Sequence, residues 1–169
     1  MRNSTRACLV GLAVLLFFAP ACAPNVDVKK DLAVVDVTTG WFDAGLVKDY
    51  EGTKNKLVPS IAFRLKNVST GATIASVQVI AVYHPVNEPT QEWGTNWVKA
   101  IDANGLAPGA TTGAFVLKSD LGHIGFQPRM QMLQNANFID ALVDLQAKVG
   151  AQQYVKLGTY RIDRQLLTH

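Results

Sequence analysis

Three groups of side chains in this sequence are of types that do chemistry. Asp120 and His123 lie close together, and a carboxylate beside an imidazole is the usual material of an acid–base pair. His123, Met130 and Met132 combine imidazole with thioether, a ligand set that suits Cu(I). In Glu92-Trp93-Gly94-Thr95-Asn96-Trp97, two indoles stand in or beside one loop, where they can stack on sugar rings or anchor a protein partner. Trp41 and Tyr50 would extend such a surface.

Each group has a plainer reading. Asp120 and His123 are two solvated loop residues. Met130 and Met132 fill core space, as methionine commonly does, and their spacing does not put them on one helix face with His123. Trp97 lies on a strand in the core and Trp93 caps the sandwich edge. The sequence contains no G-x-S-x-G elbow, and His84, His123 and His169 are scattered. Phosphate-cradling glycine loops, CxxC, HxH and HExxH patterns and calcium loops are all missing. The expectation is a non-enzyme with no cofactor and no metal, whose ligand-binding candidates are Trp93 and Trp97.

The elements that would position these residues begin after a leader. Arg2 and Arg6 precede an apolar run from Cys8 to Phe18, and Ala19-Pro20-Ala21 follows. A charged start, a short apolar stretch and small residues describe a secretory signal peptide over residues 1–21. The run is too short for a bilayer span, which takes roughly 20 residues. Removing the leader takes Arg2 and Arg6 from the 16 Lys and Arg, leaving 14 against 13 Asp and Glu. The overall charge of +3 therefore becomes +1, which points away from nucleic acid as a partner. Cys8 leaves too, and Cys22 becomes the sole cysteine of the mature chain.

Ala21 followed by Cys22 resembles the lipobox of bacterial lipoproteins, although Ala19 and Pro20 stand where that motif has other preferences. The resemblance implies that Cys22 is acylated and becomes the mature N-terminus. Ordinary cleavage near Ala21 or Ala23 would instead release a soluble protein with a free thiol. Stable anchoring takes more than one acyl chain, and the lipoprotein pattern supplies three. Ala23 after the cysteine, in place of Asp, implies the periplasmic face of an outer membrane. Residues 22–30 read as a short polar tether and 31–169 as one domain.

Period-2 alternation dominates that domain. Leu32 to Thr39 reads as a first strand, Trp41 to Lys56 as a loop, and Pro59 as the start of the next strand. Ile61, Phe63 and Leu65 form one apolar face. Val77, Val79, Ala81 and Tyr83 form another on a central strand. Short strands follow at Asn96–Ile101 and Thr111–Lys118, then an irregular stretch to Asn137 with one or two helical turns near Met130. Phe138 to Val149 fits both periods, with strand favoured over helix. The apolar phase of the last strand flips at Gly158, which predicts a β-bulge there. About seven short strands predict an all-β, immunoglobulin-like antiparallel sandwich.

Leu57 to Lys118 resembles the FxLYD type of envelope module. The likeness is carried by Asn67-Val68-Ser69, by Val79-Ile80-Ala81-Val82-Tyr83, and by Leu106-Ala107-Pro108-Gly109 leading to Phe115. His84 stands where Asp usually follows the tyrosine. The resemblance implies a fold and a role in envelope interaction, with no catalytic residues. Together these features lead us to expect a membrane-anchored, non-catalytic module that binds another envelope protein. The alternative is a binder of carbohydrate or cell-wall glycan through Trp93 and Trp97, and a copper-binding protein or hydrolase stands behind both.

Overall fold

The computed structural model describes residues 26–167. The leader, Cys22, Ala23 and His169 lie outside them. The first long element corrects the sequence reading. Residues 41–56 are not a loop: β1 (Leu32–Asp49) and β2 (Gly52–Asn67) form one long antiparallel hairpin. The glycines and charges that read as loop signals are its bulge, turn and solvated edges. Gly45 takes φ +87 at a register shift between Asp43 and Leu46, and Gly52 takes φ +131 at the turn. The Glu51 N–H is accepted by Asp49 Oδ1 there, at 2.9 Å. Both φ values are left-handed conformations that favour glycine.

Pro59 is also not a strand start. It lies buried in mid-β2, opposite Trp41. Trp41 sends its N–H to the Gln165 carbonyl (2.8 Å) and not across to Pro59, so this rung needs no donor from the proline.

β3 (Val77–Pro85), β4 (Gly94–Ile101), β5 (Phe115–Lys118), β6 (His123–Gly125), β7 (Ala141–Val149), β8 (Val155–Arg161) and β9 (Leu166–Leu167) complete the strands. One sheet runs β5-β2-β1-β9 with β6 also on β2, and the other runs β4-β3-β7-β8. Lettered as in an immunoglobulin sandwich, A (β1), B (β2) and E (β5) share one sheet and C′ (β4), C (β3), F (β7) and G (β8) the other. The fold is an all-β sandwich, as the alternation predicts. All its pairings are antiparallel except β1 with β9, which run parallel.

The core faces follow the sequence pattern. Ile61, Phe63 and Leu65 of β2 meet Val77, Val79, Ala81 and Tyr83 of β3, and Val143, Leu145 and Ala147 of β7. Segment 138–149 is a strand from Ala141 onward. Tyr83 links the layers by donating its hydroxyl to the Leu117 carbonyl (2.7 Å), and burial pushes its phenol pKa well up. The predicted irregularity at Gly158 is present: Leu145 pairs with Gly158 and Gln146 with Lys156, leaving Leu157 as the extra residue. α2 (Arg129–Gln134) supplies the helical turns near Met130.

The N-terminal segment is less of a tether than its polarity suggests. α1 (Val28–Asp31) is capped reciprocally: Asp27 Oδ1 accepts from the Lys29 N–H, and Asp31 Oδ2 from the Asp27 N–H. Val28 is 3% exposed and joins the core with Leu32, so the packed body starts before residue 31.

Candidate functional site

The end of the sandwich carrying β6 gathers four rings. The Trp41 indole, 0% exposed, lies edge-on to Phe138 (4.6 Å between centroids) and Trp93 (6.4 Å). His123 stacks on Phe138 at 3.9 Å and meets Trp41 and Trp93 at 5.3 and 5.5 Å. His123 arrives there because Gly122 passes against Leu57, where any Cβ would strike backbone. Its Nε2 lies 2.8 Å from the Ile139 carbonyl, so the neutral ring donates that bond. Burial is the main reason the imidazole pKa is lowered. Arg164 lowers it further, against the Ile139 carbonyl and Asp140.

Arg164 closes this end. Its Nε donates to Asp140 Oδ1 (2.6 Å), and its Nη2 donates to the Phe138 carbonyl (2.9 Å). The guanidinium lies over the Phe138 ring at 5.3 Å. Arg164 and Arg161 hold the Asp140 carboxyl below the usual carboxylate range, against the opposing effect of desolvation.

None of the chemical groups expected from the sequence is assembled here. Asp120 offers its backbone carbonyl to Lys56 Nζ (2.7 Å), while His123 faces the ring cluster. Met132 is buried against Gly125 and shares with His123 a hollow of about 120 Å³, also lined by Asn135, Asn137 and Phe138. Met130 is exposed and does not line it. Among the described residues, no three His, Cys, Asp or Glu side chains converge as a metal site.

The two tryptophans of one loop part company. Trp93 gives its N–H to the Tyr83 carbonyl (2.8 Å) and turns its ring into the cluster. Trp97, four residues on, is 60% exposed on the outer face of the β4-β3-β7-β8 sheet. The reading that places Trp97 in the core and the reading that joins it to Trp93 both give way. The cause is a register shift: Val77 pairs with Ile101, but Gln78 pairs with Lys99. Ala100 is the extra residue of a bulge, so Ile101 turns inward although Trp97 and Lys99 of the same parity point outward.

That outer face is ordered in rows across three strands. Lys99, Gln78 and Lys148 form one row, and Trp97, Ile80 and Gln146 the next. Thr95, Val82 and Asp144 form a third. Asp144 accepts from Lys156 Nζ (2.9 Å) and Thr159 Oγ1 (2.6 Å). Desolvation raises its pKa, but these partners outweigh that effect and hold it low. The face carries no marker in the sequence, because Gln78, Lys99 and Lys148 are ordinary solvent-side residues until the register aligns them.

The motifs that carry the family likeness do structural work. Asn67, 0% exposed, donates Nδ2 to the Ala72 and Leu106 carbonyls (both 2.8 Å) and accepts from the Ser69 N–H and hydroxyl. It thereby ties the Asn67-Val68-Ser69 turn to Leu106 at the start of the Pro-Gly turn.

Among the described residues, no helix is long and apolar enough to cross a membrane. No protein-family model matches the chain, and no curated protein does. A solved structure, Northeast Structural Genomics Consortium target SoR45, is similar over 80% of this chain and 89% of its own, at 10% identity and a TM-score of 0.40.

Proposed function

We propose that this chain is a lipid-anchored, non-catalytic module of the bacterial cell envelope. Cys22 carries the lipid at the periplasmic face of the outer membrane, and the sandwich engages another envelope component by surface contact. The observation that carries this reading is the position of the sole mature cysteine. It follows a charged, apolar and small-residue leader and stands six residues before Val28, which is buried in the body. At the extended rise of about 3.3–3.6 Å per residue, that span reaches about 22 Å at most. A body held so close to a bilayer meets what lies at the membrane surface. Its aromatic end cluster supports the non-catalytic part, since packing and backbone bonds occupy His123 there.

Fractionation of cells making the wild type and Cys22→Ser, with mass spectrometry of the N-terminal peptide, tests the proposal. The expected result is an acylated Cys22 in the membrane fraction and a Cys22→Ser protein that is no longer lipidated. A mature wild-type chain that starts elsewhere and stays soluble would overturn it.

A further inference from the structure

We infer that the outer face of β4, β3 and β7 around Trp97 is a binding site for an anionic glycan. This inference deepens the envelope reading by naming a ligand class, and rests on it only for where the glycan is met. Three observations converge on the site.

The first is the indole itself. Large aromatics bury surface readily, so one left 60% exposed in mid-strand gives up that gain. Trp97 sits opposite Ile80 and lines an open groove together with Gln78, Lys99 and Lys148. A pyranose ring presents a flat C–H face of matching character.

The second is charge. Lys99 and Lys148 flank Gln78 in one row, so two strand spacings of about 4.8 Å put their backbones about 10 Å apart. The row lies two residues from Trp97, about 7 Å along the strand. Other cations of this sheet are committed: Lys156 to Asp144, and Arg161 to Asp140. Lys99 and Lys148 form no ion pair among the described residues. The neighbouring carboxylates are occupied, Asp144 as above and Asp102 by the Asn104 N–H and side-chain amide. Lys148 Nζ lies over the Tyr154 ring (4.8 Å to its centroid), but no carboxylate neutralises either lysine. Two ammonium groups without a carboxylate partner, within reach of an exposed indole, fit a saccharide bearing carboxylates.

The third is the amides. Gln78 and Gln146 lie on the same face, one beside the lysines and one in the Trp97 row. Amides offer both donor and acceptor to hydroxyls, which a bare anion does not require.

The test is binding of oligogalacturonate by the full chain purified in detergent, with the methyl-esterified oligomer and poly-glutamate alongside. Wild type is expected to bind the acidic oligomer, and Trp97→Ala to weaken it at least tenfold with an unchanged circular dichroism spectrum. Lys99→Gln with Lys148→Gln is expected to weaken the acid at least tenfold and leave any binding of the ester unchanged. Absence of oligogalacturonate binding by wild type overturns the inference. So does affinity unmoved by these substitutions, or poly-glutamate bound as tightly and indifferent to Trp97→Ala. The measurement needs no membrane, so its failure leaves the Cys22 fractionation result standing, and the reverse holds.

Discussion

Trp93 and Trp97 are four residues apart and have opposite fates. Trp93 joins Trp41, His123 and Phe138 in a packed cluster closed by Arg164, whereas Trp97 lies open beside two lysines that form no ion pair among the described residues. The cluster is built like a core, with rings edge-on or stacked; His123 Nε2 and Arg164 Nη2 reach backbone carbonyls, while the buried Trp41 Nε1 has no partner. The open face holds residues whose polar groups and apolar area are left to solvent. The first arrangement stabilises the fold, and the second leaves the Trp97 indole largely in solvent. Two indoles four residues apart thus teach that residue type does not separate a packed aromatic from an open one; the surroundings do.

The contrast breaks most sharply under truncation. Trp41→Ala removes a fully buried indole and leaves a cavity among three rings. A loss of about 3–5 kcal/mol is expected in denaturant unfolding. Trp97→Ala removes an exposed one, and the same measurement is expected to move by less than about 0.5 kcal/mol. Comparable losses for the two would mean that the open face is also structural.

A second, smaller effect falls on the latch of the cluster. Arg164→Ala strips Asp140 of one partner and leaves the Phe138 carbonyl without its guanidinium donor. The pair is partly exposed, so screening reduces its share, and about 1–2 kcal/mol is expected. Arg161 still neutralises Asp140 in that variant, so Arg164→Ala combined with Arg161→Ala should lose more than the sum of the two single losses. Additive single effects in the cycle would show that the two arginines do not share the carboxylate.

The fold was largely legible because its strands obey one period. Alternation placed the core faces of β2, β3 and β7 correctly, and glycine flagged the bulge in β8. It failed where a bulge has no marker. Ala100 inverts the phase of β4 with an unremarkable residue, so alternation alone does not tell which face Trp97 takes. It also failed where loop-like residues serve a hairpin: Gly45 and Gly52 interrupt β1 and β2 without ending them. Of the site, the tryptophans could be named but not sorted. The row of Lys99, Gln78 and Lys148 draws on three strands distant in sequence and exists only once register is fixed.

The subtlest prediction concerns protons at the closed end. Burial lowers the folded pKa of His123, while the unfolded chain keeps an imidazole near 6.5. As pH falls below that value the unfolded state takes up a proton that the folded state resists, so stability declines until the folded pKa is passed. The slope within that window cannot exceed about 1.4 kcal/mol per pH unit for one group. His123→Phe keeps a ring on Phe138 and loses the bond to Ile139, which shifts stability by an amount independent of pH. The substitution should therefore flatten the decline from pH 6.5 downward, read as unfolding midpoints at several pH values. Asp140 and Asp144 act in a separate window. Their lowered pKa values stabilise the fold above the ordinary carboxylate range, and that contribution is lost only as pH drops through about 4 and below. Equal slopes for wild type and His123→Phe between pH 6.5 and 5 would show that the imidazole is solvated, and that the cluster at this end is as open as the face that holds Trp97.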